Sequence, residues 1–173
     1  LGLTSATEVV IFAMACMALN VLVGFTGLVS FGHGAWFGLA AYAAALAQLH
    51  WFEKSFWLPL GFGLLFISFV SLGFGFLILR RRGVYFSLLT LALCAMLYAV
   101  AFRWTAVTGG ENGLGGIVRP SWIGFDLEQK FPFYVVVALI GMMTVFFLWR
   151  FHRSPIGSVL IAVRENEQRA SFI

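Results

Sequence analysis

Phe56-Trp57-Leu58-Pro59-Leu60-Gly61-Phe62-Gly63-Leu64-Leu65-Phe66-Ile67-Ser68-Phe69-Val70-Ser71-Leu72-Gly73-Phe74-Gly75-Phe76-Leu77-Ile78-Leu79 contains no ionisable side chain and ends on Arg80-Arg81-Arg82. A helix needs about 20 mainly apolar residues to cross roughly 30 Å of hydrocarbon. This stretch meets that requirement, and three arginines at its end suit the watery side of a bilayer better than any buried position. The rest of the chain agrees. Hydrophobic residues are 61% of the sequence and charged residues 10%, with a mean hydropathy of +0.96. A soluble domain carries about 25% charged residues. The chain has too few to cover a globule in water, so its outer surface must meet lipid. The expected fold is an all-α polytopic membrane protein, a multi-helix transmembrane bundle.

Working outward, apolar spans are expected at Val9–Val23, Phe56–Leu79, Gly83–Phe102 and Phe133–Trp149. A fifth and shorter one, Ala35–Leu49, follows the glycine-rich run Gly24-Phe25-Thr26-Gly27-Leu28-Val29-Ser30-Phe31-Gly32-His33-Gly34. Glycine is permissive in backbone angle and weak in helix, so the chain breaks or turns here. Either a tight cytoplasmic turn or a broken, re-entrant helix inside the membrane fits that run. In the second case the break must face protein or water, because lipid offers its amides no partner.

Orientation follows the arginines. Arg80–Arg82 form one basic knot, and Arg150 with Arg153 another; two spans and the loop from Arg103 to Pro132 lie between them. Two spans return the chain to one side, so both knots belong in the cytoplasm. The outer loop and the short His50–Ser55 connection then face outward, as does Leu1. Trp51, Trp57, Trp104, Trp122 and Trp149 lie near span ends, as an interfacial aromatic belt requires. The sequence opens on Leu1 and closes at Ile173 inside a helical pattern, as expected of a segment cut from a longer chain.

Catalytic and metal-binding constellations are missing from the pattern. His33, His50 and His152 are far apart, Cys16 and Cys94 sit in apolar runs, and Gly109–Gly116 lacks the Gly-Lys-Ser/Thr ending of a phosphate loop. The net charge of +4 comes from knots at span ends, not from a basic face interleaved with aromatics, so no nucleic acid is expected. Neither an enzyme nor a cofactor is expected.

Polar and small residues inside the spans form stripes: Ala13, Cys16, Asn20 and Gly24; Gly34, Gly38, Tyr42 and Ala45; Ser68, Ser71 and Gly75; Ser87, Thr90, Cys94 and Tyr98. Each reads as a seam where helices approach closely or as the lining of a polar pathway, with Asn20 and Thr90 the residues that most need a partner or water. Downstream, Ser154 can cap a helix with Pro155 at its first position, and Ile156, Val159, Leu160 and Val163 make an apolar face that ends in Arg164-Glu165-Asn166-Glu167-Gln168-Arg169. The segment 154–168 is either the solvated start of a further membrane helix or a cytoplasmic helix whose apolar side docks on a partner or lies on interfacial lipid.

Four motifs in order carry a family resemblance. Asn20 to His33 resembles the "LNL-x-x-GYTGQ-x-SLGH" stretch of ABC-transporter permeases for branched-chain amino acids. Gly83-Val84-Tyr85-Phe86 with Thr90-Leu91-Ala92 resembles the family's "GIYFA-x-x-TLA" helix, and Thr108–Leu114 its "TGG-x-x-GL" loop. Ser154–Gly157 through Ala162–Glu167 resembles "SP-x-GR-x-x-x-AIREN-[DE]". Gly34, Trp36 and Ser158 depart from the family's usual Ala, Phe and Arg.

The resemblance covers most of the chain and is closest to the M-type of the family's two paired permeases. It implies a bacterial-type inner (plasma) membrane location and no catalytic or metal residues. The implied partners are a second related permease, two ATP-binding subunits and an extracytoplasmic substrate-binding protein. Branched-chain amino acids are the implied substrates, with urea and short amides carried by close relatives. Asn20, Gly24, Gly27, Ser30, His33 and Thr90 are the candidate substrate-pathway residues, and Gly109, Gly110, Glu111 and Asn112 the outer-loop motif. Arg164, Glu165, Asn166 and Glu167 fall in the loop that contacts the ATP-hydrolysing subunits. A channel or structural subunit with no nucleotide partner is the alternative.

Overall fold

The computed structural model describes residues 2–53, 55–80, 83–119, 127–166 and 170. Arg81, Arg82, Trp122, Glu167 and Gln168 lie outside the described residues. The apolar runs become helices: α1 (Leu3–Asn20), α2 (His33–His50), α3 (Trp57–Ile78), α4 (Val84–Arg103), the short α5 (Thr105–Thr108), α6 (Lys130–His152) and α7 (Pro155–Glu165). No strand occurs among the described residues. Among the described residues four helices are long and apolar enough to cross a membrane: α1 with its continuation to Phe25, α3, α4 and α6. The chain is an all-helical, multi-pass membrane protein.

The described residues fall into two units, 1–29 with 130–173, and 30–129. In the second unit α2 and α3 run antiparallel. Trp36 near the start of α2 meets Phe74 near the end of α3 (5.7 Å between rings), and Trp51 just after α2 meets Phe62 early in α3 (5.3 Å). Gly63 brings the two backbones together, since a Cβ there would stand 2.9 Å from the Ala44 methyl. Ala43 and Ala47 on α2 are buried, as small residues at a close helix crossing should be. On α3 the side chains of Leu65, Phe69, Leu72 and Phe76 form an exposed strip with 4-3-4 spacing, the face that lipid would cover. Pro59 falls in the first turn of α3, where a missing N–H disturbs no intrahelical bond.

α2 is not among the four long apolar helices. It is eighteen residues long, rich in alanine, and carries His33, Gln48 and His50 at its ends. Its alanines, among them the buried Ala43 and Ala47 at the crossing with α3, account for its lower hydropathy. On α4, Phe86, Thr90 and Leu93 are buried along one face. The start of α2 lies against the first half of α4, where a Cβ on Gly32 would meet the Thr90 carbonyl. Leu46 and Ala47 near the end of α2 share a cleft wall with Trp104 just past α4, so these two helices run in the same direction.

In the first unit α1 and α6 also run parallel. Gly141 admits Val10 (a Cβ would meet its Cγ1 at 2.9 Å), and one turn further along both helices Thr144 Oγ1 approaches the sulfur of Met14 at 3.6 Å. Parallel α1/α6 and parallel α2/α4 are what alternate crossing of spans requires.

Several boundaries differ from the sequence expectation, α6 by three residues at each end, and three of the differences can be described locally. α1 begins at Leu3 rather than Val9 because Thr7 returns its hydroxyl to the Leu3 carbonyl at 2.8 Å, so the polar first turns remain satisfied as helix. The run Thr108–Gly116 is not irregular throughout: α5 precedes it and ends at Thr108, and it contains a 3-10 turn at Gly110–Asn112. α7 stops at Glu165, where Asn166 turns extended with φ −160°.

Candidate functional site

At the end of α1 the helix widens into a π-helical turn, Val21–Phe25. Such turns insert a residue into the helical ladder and often mark functional positions. Thr26 closes the turn: its amide reaches the Leu22 and Val23 carbonyls, and its hydroxyl reaches the Leu22 carbonyl at 2.5 Å. The chain then leaves the helix at Gly27, which has φ +69°. Left-handed glycine just past a helix end is the usual way to stop one.

The last carbonyls of any helix lack intrahelical donors. Here the Gly24 carbonyl is taken by the guanidinium of Arg164, which reaches it from α7. The stem of Arg164 lies over Gly27, where a Cβ would meet its Cγ at 2.8 Å and its Cδ at 3.2 Å. Phe25 adds an edge-on contact to His152 (5.1 Å, 87°) and a tilted one to Phe151 (6.1 Å, 54°) at the end of α6. Asn20 is exposed, and its amide oxygen would be 3.0 Å from a Cβ on Gly24.

α7 is built as its sequence suggested. The Ser154 hydroxyl accepts the Gly157 amide at 3.2 Å, and Pro155 occupies the first position. Gly157 is buried against the end of α6, where a Cβ would stand 2.6 Å from the Phe151 carbonyl oxygen. Ile156, Val159 and Val163 are exposed at 63%, 58% and 40%, an apolar strip with 3-4 spacing that nothing among the described residues of the first unit covers. Glu165 and Asn166 are exposed at its end.

In the second unit, the entry into α2 is braced by α4. The Thr90 hydroxyl accepts the Phe31 amide at 3.2 Å and donates to the Ser87 carbonyl at 2.8 Å. Ser30 is buried and accepts the Gly32 amide at 3.3 Å. Gly32 lies so close to α4 that a Cβ would meet the Thr90 carbonyl at 2.9 Å. His33, the first residue of α2, is half-buried. The segment Ser30–Gly32 is therefore irregular backbone resting on protein.

Above this brace the cleft between α2 and α4 opens in two connected parts. One, of about 280 Å3, is bounded by Gly34, Gly38, Cys94 and Tyr98, and the other, of about 450 Å3, by Leu46, Phe62, Trp104 and Val107. Leu39, Tyr42, Leu97 and Ala101 line both. The wall is almost wholly apolar. Sequence reading marked Gly34, Gly38, Tyr42, Cys94 and Tyr98 as stripes but did not join them into one cleft.

The loop beyond α4 is held by a buried threonine. Thr108 Oγ1 lies 2.5 Å from the Ala101 carbonyl and 2.8 Å from that of Trp104, and it accepts the Gly110 amide at 3.3 Å. Gly109 (φ +76°) and Gly110 (φ +58°) have no room for a side chain: a Cβ on Gly109 would stand 2.1 Å from the Gly113 oxygen. Glu111 and Asn112 project from this turn, exposed. No group of three or more His, Cys, Asp or Glu that could hold a metal ion occurs among the described residues.

Residues 2–173 match the family described as branched-chain amino acid transport system / permease component. The chain belongs to this family. It is 29% identical over 94% of its length to the high-affinity branched-chain amino acid transport system permease protein LivM of Escherichia coli K12, and equally to that of Salmonella typhimurium LT2. The alignment covers 43% of each relative, so the chain spans less than half the length of the curated relatives it matches. No solved structure matches. Within this permease family the resemblance first read from four short motifs extends over the whole segment.

Proposed function

We propose that this chain is part of the permease subunit of an ATP-driven importer that carries branched-chain amino acids, or similar small polar solutes such as urea, across a bacterial-type inner membrane. The observation that carries this reading is the family match over residues 2–173. The permease relatives named above carry branched-chain amino acid transport in their names. ATP hydrolysis then resides on two partner subunits, with a second permease and an extracytoplasmic binding protein completing the assembly.

The geometry supports two roles. α7 is the docking element for an ATP-binding subunit, since it is capped at Ser154, fixed to α6 through Gly157, and exposes Ile156, Val159 and Val163. An amphipathic helix with an uncovered apolar strip needs a partner groove. Glu165 and Asn166, exposed at the end of α7, rim that contact. The irregular segment Ser30–Gly32 braced by Thr90 suits a pathway wall within the second unit, and the break at Gly24–Gly27 suits one within the first, since irregular backbone is tolerated in a membrane only against protein or water. The outer loop Gly109–Asn112 presents Glu111 and Asn112 to the binding protein.

Uptake into proteoliposomes containing the full-length protein with its partners tests the reading. ATP-dependent accumulation of labelled leucine is expected. Accumulation of urea but not leucine would move the substrate, and flux without ATP would replace the importer by a channel.

A further inference from the structure

Arg164 lies in the segment expected to touch the ATP-hydrolysing subunits, yet its guanidinium is engaged within this chain. It donates to the Gly24 carbonyl, 140 residues away in sequence. We propose that Arg164 is a positioning residue that ties α7 to the end of α1, delivering any displacement of the docking helix to the break at Gly24–Gly27. This inference rests on the importer reading above and adds the path that motion takes.

Three independent features meet at this joint. The first is the bond itself. A guanidinium at the negative end of a helix dipole, on a carbonyl with no intrahelical donor, is favoured by both charge and hydrogen bonding. The second is Gly27. Its left-handed φ of +69° ends α1, and the absence of a side chain leaves the space that the Arg164 stem fills. The third is the support on the far side. α7 cannot slide freely on α6, because Gly157 is set against the Phe151 and His152 carbonyls, and Phe25 of the π-turn packs on the rings of Phe151 and His152. The end of α1, the end of α6 and α7 thus form one mechanical joint whose polar link is Arg164.

A π-turn is a suitable receiver, because its widened ladder can return to α-helical pairing by shifting one residue. A two-state element is what coupling between distant sites requires. Arg164 holds the turn in the observed arrangement; withdrawing or tilting α7 would release the Gly24 carbonyl. From Gly27 the chain runs directly through Leu28 and Val29 to Ser30, so a change at the turn is passed on covalently toward α2.

The test uses the full-length protein assembled with its partner subunits in proteoliposomes, with leucine as the transported probe. Arg164→Met keeps the stem over Gly27 but removes the donor. It is expected to assemble and hydrolyse ATP while leucine moved per ATP falls about tenfold, the scale of a lost charge-assisted hydrogen bond. Arg164→Lys restores a cationic donor without the planar fork and should return the ratio to within about threefold of wild type. A Met variant that keeps the wild-type ratio overturns the proposal. A second measurement needs no substitution. Amide exchange at Gly24–Gly27 should change together with that of 155–165 when ATP binds, and a change in 155–165 alone overturns the proposal even where the Met variant fails to assemble. Wild-type protein that neither hydrolyses ATP nor moves leucine defeats the importer reading and this inference with it. Wild-type transport combined with an unaffected Met variant defeats only the inference.

Discussion

Thr90 holds Phe31: the hydroxyl of a residue two turns into α4 accepts the amide at the entrance to α2, across 59 positions of sequence, at 3.2 Å. The same hydroxyl donates to Ser87 at 2.8 Å, and only 3% of Thr90 is exposed. Thr90→Val keeps the shape and removes the acceptor. Losing a typical intramolecular hydrogen bond costs about 0.5–1.5 kcal/mol, so the variant should unfold at lower temperature in detergent. Thr90→Ser keeps the oxygen and should lose much less. Equal thermal stability for Val and wild type would show that the Phe31 amide does not depend on this bond.

The contrast between Gly27 and Gly61 isolates the break. Gly27 has φ +69° and the Arg164 stem against it, whereas a Cβ on Gly61 would meet nothing within 4 Å. A side chain forced into the left-handed region costs about 1–2 kcal/mol before any clash. Gly27→Leu should therefore reduce transport strongly, and Gly61→Leu should be close to wild type. Matched uptake and expression measurements on the two variants check it. A Gly61 variant as impaired as the Gly27 variant would remove the special status of the break.

How much of this could be read from residues alone divides along a physical line. Spans are local: Phe56–Leu79 announces itself by length and the arginines after it, and the structure forms α3 at Trp57–Ile78. The Ser154–Pro155 cap is also local, and it forms as read. Thr90 stood out as a polar residue on a helical stripe, but a stripe does not say what its hydroxyl meets. The Gly24–Arg164 bond was illegible, because its partners are 140 positions apart and a glycine carbonyl has no signature in sequence. Glu165 and Asn166 remain at the end of α7 where the pattern put them, whereas Arg164 turns back onto its own chain.

The outer loop offers a cleaner steric comparison. A Cβ on Gly109 would lie 2.1 Å from the Gly113 carbonyl oxygen, and one on Gly115 would meet nothing within 4 Å. Gly109 has φ +76°, while Gly115 is not among the positive-φ glycines. Gly109→Ala must move backbone as well as adopt a strained angle, at a cost of about 1–3 kcal/mol for the angle alone. Gly115→Ala should be within about 0.5 kcal/mol of wild type. Thermal unfolding of the two variants reads the difference; similar losses would mean that the turn is not packed as described.

Sidedness follows from the arginine knots and the parallel helix pairs. α4 lies between Arg81 and Asn112, so these positions should be on opposite faces of the membrane. In a background with Cys16 and Cys94 replaced by alanine, Arg81→Cys should react with an impermeant thiol reagent only from the cytoplasmic side, and Asn112→Cys only from outside. Labelling of both from one side would end this topology.

The strip Ile156, Val159 and Val163 provides the last test, because it separates docking from the internal tie at Arg164. All three are exposed on α7, and the helix is capped independently of them at Ser154. Val159→Asp should leave α7 folded, since an exposed surface substitution typically changes stability by within about 0.5 kcal/mol. In a docked interface the same carboxylate must be desolvated without a partner, at a cost of about 2 kcal/mol or more. That corresponds to at least roughly a thirtyfold loss of affinity. Glu165→Gln sits at the exposed rim, where a charge contributes about 1 kcal/mol or less. The expected order is therefore a severe loss of co-purifying ATP-binding subunit for Val159→Asp and a mild one for Glu165→Gln. Co-purification of the full-length variants from membranes at matched expression measures it. Retention of the ATP-binding subunit by Val159→Asp would mean that the apolar strip faces lipid rather than a partner, and α7 would then not be the docking helix.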